Sequence, residues 1–173
     1  MAEGLLRDRL ARAGVDAHVH SAGLVTEDRP ASEHGVTAMS RRGIDIGHHR
    51  SRRLAADLAS AADLILGMEL QHIREVAVLD RDAFERAFTL PELARAARDL
   101  GPRSAGESPA EWIRRAGTGR RPADMLGSRP ADEVADPIGR SAREYEATAA
   151  QLEDLVGTIV DHLFPEHGDN TCA

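Results

Sequence analysis

The sequence predicts a three-layer α/β domain in which helices flank a parallel sheet, and three observations carry that expectation. Segments of strand length alternate with segments of helix length along the chain. Asp63-Leu64-Ile65-Leu66-Gly67-Met68 is apolar almost throughout, as strands buried on both faces of a parallel sheet tend to be. Near the end, Tyr145, Ala149, Leu152, Val156, Ile159 and Leu163 step by four and three, which is the stripe of a long helix packed on a sheet.

Taken in order, Ala2 to Ala13 reads as a first helix, with Leu5, Leu6 and Leu10 on one side and Gly14 as its stop. No Ser, Thr, Asp or Asn precedes it, so its first N–H groups lack a cap from the chain. Val15 to Ser21 alternates as a strand does, and Ala22-Gly23 ends it. Ser32 to Arg42 predicts a second helix closed by Gly43, and Arg52 to Ala59 a short one. After the apolar strand at 63–68, helical character returns over Gln71 to Val78, followed by a brief strand at Ala87-Phe88. Thr89-Leu90-Pro91-Glu92 has capping-box spacing, so a helix should run from Leu90 to Leu100. The stretch 101–133 is rich in Gly, Pro, Arg and Ser and reads as an excursion from the core. It carries one small helix, opened by Ser108-Pro109-Ala110-Glu111 and leading into Trp112 and Ile113. A third box, Ser141-Ala142-Arg143-Glu144, opens the last helix. One domain over 1–164 and a flexible tail over 165–173 are expected.

Composition narrows the function. The 173 residues suit one compact domain, and 42% hydrophobic with 29% charged residues is ordinary for a globular chain. All 22 basic residues are Arg, which with the abundant Ala reads as genomic composition. A net charge of -7 argues against general binding to nucleic acid or anionic membrane. No apolar run approaches the ~20 residues of a membrane span. Cys172 is the only thiol, so neither a disulfide framework nor a cysteine zinc set is available, and a reducing, cytoplasmic setting is the default. His18 and His20 would share one strand face and His48 adjoins His49, but no third spaced ligand accompanies them, so no metal and no cofactor is expected. Arg50, Arg52 and Arg53 read first as a solvated helix face and second as an anion site.

Five stretches together resemble the low-molecular-weight protein-tyrosine-phosphatase family in its bacterial form. They are Met1-Ala-Glu-Gly-Leu-Leu6, Ser21-Ala22-Gly23, Gly43-Ile44-Asp45-Ile46 with His49-Arg50-Ser51-Arg52, the 63–68 strand, and Asp136-Pro137-Ile138-Gly139. The resemblance implies a flavodoxin-like order, with the first strand inside the sheet between the second and third. It also implies hydrolysis of phosphotyrosine monoesters through a phosphocysteine. The family's Cys-x5-Arg-Ser loop, and the strand that leads into it, are not found in residues 1–173, and the sequence opens where the family continues with Met-Ala-Glu. A start assigned too far downstream, a lost 5′ end of the gene, or an inactive relative each accounts for that. The expectation is that the chain as written lacks its nucleophile, and that protein made from Met1 alone folds poorly.

The implied chemistry needs a stabilised thiolate, a cradle for the phosphoryl oxygens and a proton for the leaving group. Cys172 cannot supply the thiolate, since it sits in a polar tail with no Arg after it. By the resemblance, Asp136 is the general acid, extended by Pro137 ahead of the final helix. His49 supports the phosphate loop and Ser21 lies near the thiolate. Ile138 stands where the family often has an aromatic residue, so the substrate rim should differ. The expected partners are phosphotyrosine proteins or small aryl phosphates. A non-catalytic anion- or partner-binding module is the alternative, and an arsenate reductase ranks last because resolving thiols are missing.

Overall fold

A computed structural model describes residues 1–127 and 129–165. Its helices are α1 (Ala2–Arg12), α2 (Glu33–Ser40), α3 (Ala56–Ala61), α4 (Leu70–Leu79), α5 (Leu90–Leu100), α6 (Pro109–Ala116) and α7 (Ala142–Leu163). Short 3-10 turns occupy Arg81–Arg86, Pro122–Met125 and Pro130–Asp132. Two strands, β1 (Ile65–Gly67) and β2 (Ala87–Thr89), pair in parallel with Ile65 opposite Ala87 and Gly67 opposite Thr89. Cys172 and most of the expected tail lie outside the described residues. No helix among those described is long and apolar enough to cross a membrane.

The three layers follow from the strands' period of two. Leu66 and Phe88 face a core shared with Leu5, Leu10, Leu93, Trp112, Leu152 and Ile159, which draws in α1, α5, α6 and α7. Ile65 and Ala87 face the other way, onto Ala59, Leu70, Ile73 and Val76 of α3 and α4. Thus one central pair of strands separates two hydrophobic clusters. Gly67 is required where β1 meets α4, because a Cβ there would stand 2.8 Å from Ile73 Cδ1 and 3.0 Å from His72 Cβ.

The helix starts form as their sequences dictate. Thr89, Ser108 and Ser141 each accept the N–H of the residue three on, while Glu92, Glu111 and Glu144 reach back to the cap's own N–H. By contrast, α1 has Met1 at its cap position and no side-chain cap. The 101–133 stretch contributes Trp112, fully buried, whose indole N–H donates to the Gly101 carbonyl at 3.3 Å.

Three local expectations are corrected. Val15 to Ser21 does not form a strand: it runs without turn or bend to Ala22, but none of its backbone groups from Asp16 onward has a main-chain partner among the described residues. Alternation supplies two faces to a strand, whereas a strand also needs a neighbour at its edge. The helix expected at Arg52 begins only at Ala56, since the Gly23 N–H donates to Arg52 O and the Leu54 N–H to Gly23 O, each at 2.9 Å. Arg53 is therefore part of a bridge with Gly23, and Arg50 of one with Pro30, rather than a helix face. Finally, Ile65 and Leu66 are half-buried and not fully buried, because β1 has a partner along one edge only.

Candidate active site

Helix α1 is pressed onto the loop that carries His49 by a residue without a side chain. A Cβ on Gly4 would lie 3.1 Å from both Ile44 Cγ2 and Ile46 Cγ2. That close approach brings the first turn of α1 beside the loop, in which Asp45 accepts the Gly47 N–H at 2.7 Å and the His49 N–H reaches Ile46 O at 3.1 Å. Glu3, in this first turn, becomes the hub. Its Oε2 accepts the Ser21 hydroxyl at 2.5 Å and lies 3.5 Å from His49 Nδ1, while Oε1 meets Arg7 at 3.2 Å. Ser21 and His49 are thus joined through one carboxylate.

The electrostatics of Glu3 are mixed. Burial pushes its pKa up, but the Ser21 hydroxyl, His49, Arg7 and the Met1 ammonium together outweigh that and hold it below the ordinary value. Burial lowers the pKa of the Met1 α-amino group, and Glu3 opposes that shift. A carboxylate also suits the uncapped positive end of the helix dipole.

Asp136 stands on a loop tied to the end of β1. The Val134 N–H donates to Met68 O at 2.8 Å, and Val134 itself is buried. Upstream, the buried carboxylate of Asp132 meets Arg95 of α5 at 2.6 Å. Asp136 is exposed and accepts the Ile138 N–H at 2.9 Å, which fixes its carboxyl in a tight turn. Ile138, two residues on, is exposed.

Glu3, Ser21, His49 and Asp136 all line one cavity of about 1880 Å³, which also takes in Arg50. Asp136 makes no hydrogen bond to the other three among the described residues. His18 and His20 lie along the same wall with rings 5.5 Å apart. Of these residues, Glu3 is the one that sequence reasoning missed as functional. Its signal was an acid in the first turn of a helix with no cap.

The chain was compared with known proteins. A family model described as Low molecular weight phosphotyrosine protein phosphatase matches residues 1–100. A protein-arginine-phosphatase of Bacillus subtilis (strain 168) is 27% identical over 164 residues, which is 94% of this chain and 87% of that protein. A probable low molecular weight protein-tyrosine-phosphatase, EpsP, of Ralstonia nicotianae is 42% identical over 77 residues, covering 44% of this chain and 50% of that one. Among solved structures, the YwlE arginine phosphatase, as a cysteine-to-serine mutant with a phosphorylated active-site serine, matches with a TM-score of 0.68 and 26% identity. The match covers 96% of this chain and 88% of that structure.

Proposed function

The chain belongs to the low molecular weight phosphotyrosine protein phosphatase family, and from that premise we propose that it is the scaffold and acid half of a phosphatase acting on phosphorylated protein side chains. The observation that carries this reading is the convergence of Glu3, Ser21, His49 and Asp136 on one cavity at the start of α1. In the proposed reaction a thiolate attacks the phosphorus, and Asp136 gives its proton to the departing oxygen. The same carboxylate then takes a proton from the water that cleaves the phosphocysteine. Ser21 and His49, held by Glu3, orient the phosphate-binding loop. The N–H groups at the start of α1 face the developing negative charge.

Cys172 is the only cysteine in residues 1–173 and stands next to last in the sequence. In this reading the thiolate is that of a Cys-x5-Arg loop of the family's kind, set at the start of α1. A cytoplasmic setting goes with a reaction that needs a free thiolate.

Phosphotyrosine is the first-choice substrate. A second reading, phosphoarginine, is favoured by the match with the arginine phosphatase along nearly the whole chain, whereas EpsP matches under half of it. The exposed aliphatic Ile138, two residues after Asp136, also offers no aromatic face for stacking a phenol ring. The test is an assay of the in-frame extended form on p-nitrophenyl phosphate, a phosphotyrosine peptide and a phosphoarginine peptide. Asp136→Ala should lower kcat by ~10²–10⁴-fold on the aryl ester. An unchanged rate removes Asp136 from the acid role, and brisk hydrolysis by 1–173 alone removes the whole reading.

A further inference from the structure

Helix α4 starts differently from α5, α6 and α7. Glu69 stands at its cap position, and no side chain caps the first turn from there. A bond is made instead from inside the helix. His72, the third residue of α4, turns its ring back so that Nδ1 accepts the Met68 N–H at 3.2 Å. That bond fixes the state of the ring. A ring nitrogen that accepts a backbone N–H carries no proton, so His72 is neutral, with its proton on Nε2. Nε2 lies 3.5 Å from Glu69 Oε1.

Met68 is held on both sides. Its N–H goes to His72, and its carbonyl accepts the Val134 N–H at 2.8 Å. Val134 is buried, and Asp136 follows two residues later. A single residue therefore stands between the His72 ring and the loop that carries Asp136. The His72 side chain is 32% exposed and lines the same cavity as Asp136, so protons reach it without unfolding.

We propose that His72 is a positioning residue for Asp136, acting through Met68 and Val134, and that a second proton on its ring releases the loop. The role of Asp136 rests on the proposed function, whereas the tie from His72 to Val134 does not. Protonation puts an N–H on Nδ1, where it faces the Met68 N–H, and two donors cannot share that bond. Glu69, half exposed, is placed to take the charged ring through Nε2. Among the described residues it is the one carboxylate within 4 Å of the ring nitrogens. Glu75 is the other acid of α4, and Arg74 of the same helix is engaged with the carbonyls of Met125 and Gly127. The elements packed on α4 bring Asp57 from α3, Arg81, Asp82, Glu85 and Arg86 from the first 3-10 turn, and Asp124 from the second. The loop itself brings Glu133 and Asp136, while β1 and β2 bring no ionisable side chain.

The test has two arms. In the first, nitrogen-15 NMR follows residues 1–173 and the extended form against pH. The Met68 and Val134 amide signals should move with the His72 ring Hε1 and share its midpoint. Exchange at the Val134 amide should quicken by ~3-fold or more once the ring is charged. His72→Gln keeps an acceptor that does not titrate, as the amide of a capping box does, so both amides should hold still there. Any movement that this variant shares with the wild type belongs to Glu133 or Asp136. In the second arm, the extended form hydrolyses phenyl phosphate, whose leaving group needs a proton. Charging the ring should lower kcat by ~10-fold with KM unmoved. His72→Gln should stay level over that range, and His72→Ala should sit at the lowered kcat throughout. Amides indifferent to the ring overturn the proposal, as does a wild-type pH profile in His72→Gln. Indifferent amides with a slow Asp136→Ala enzyme remove this inference and leave the proposed function. Coupled amides with an unimpaired Asp136→Ala enzyme leave the tie and remove the acid.

Discussion

Arg120 fastens the 101–133 stretch to the sheet, and its removal should cost a large share of the stability. Its guanidinium lies 4.7 Å from the Phe84 ring centre and 4.0 Å from that of Phe88, so it touches both aromatic faces. Nε donates to Glu92 at 2.8 Å, and the terminal nitrogens donate to Ala87 O at 2.6 Å and Phe84 O at 3.2 Å. Only 11% of the Arg120 side chain and 13% of the Glu92 side chain are exposed. Arg120→Ala leaves a carboxylate in the interior with no counter-ion, while Glu92 must still close the Thr89 capping box. Breaking one partner of such a pair costs ~3–5 kcal/mol, a figure that already includes the stranded acceptors. Against a total of ~5–15 kcal/mol this is about a fifth of the stability at the least. At ~2–4 °C per kcal/mol for a chain of this size, Tm should fall by about 6–20 °C. Differential scanning calorimetry of the wild type, Arg120→Ala, Glu92→Gln and the double variant forms a cycle. The double variant should be more stable than the two losses added, by ~1 kcal/mol or more, because the neutral amide no longer needs the cation. A drop under 2 °C in Arg120→Ala, or simple additivity across the cycle, refutes the reasoning.

Three further substitutions probe other joints. Glu3→Gln should lower Tm at pH 7 by about 2–4 °C while still accepting the Ser21 hydroxyl. The pKa of Glu3 is held below its ordinary 4.5, so its contribution is complete above that pH and lost as pH falls through the folded value. The two melting curves should therefore converge in acid, and a constant gap down to pH 3 contradicts the assignment. Arg42→Ala unfastens α2 from α7, since Arg42 donates to Glu146 at 2.6 Å, Glu153 at 2.9 Å and Ala38 O at 2.9 Å. A loss of ~1–3 kcal/mol by urea denaturation is expected, and an unchanged midpoint counts against the clamp. Gly67→Ala forces a methyl into the 2.8 Å and 3.0 Å gaps to Ile73 and His72, and should cost ~1–3 kcal/mol. Equal stability there shows that α4 can shift without penalty.

What could be read from the sequence depended on how far apart the interacting residues lie. The starts of α5, α6 and α7 were legible because each box closes over three residues, so Thr89, Ser108 and Ser141 announce themselves. The β1 core strand was legible from its apolar run, although its half-burial was not, since burial depends on a neighbour that the run does not name. Val15 to Ser21 has the alternation of a strand and no ladder, and that difference is invisible to periodicity. Arg53 looked helical in its own neighbourhood, but a contact with Gly23, thirty residues earlier, decides its conformation. Asp136, Ser21 and His49 were singled out by resemblance to a family, and the structure gathers them at one cavity. Glu3 escaped notice because an acid in a first turn has a sufficient local explanation in the helix dipole. Its bond to Ser21 is a tertiary fact.

The repeated helix-start chemistry also ties two helix ends to pH. Glu111 and Glu144 are both held below the ordinary carboxylate range, chiefly by the backbone N–H groups of Ser108 and Ser141 that they accept. Both are solvent-facing, so protons reach them while the hydrophobic clusters are still closed. As pH falls through their folded pKa values the reach-back bonds go, and the first turns of α6 and α7 fray from the outside. Acid below the ordinary carboxylate range thus frays the two helices from their beginnings, with Trp112 and Tyr145 as native fluorophores placed one turn inside each frayed end.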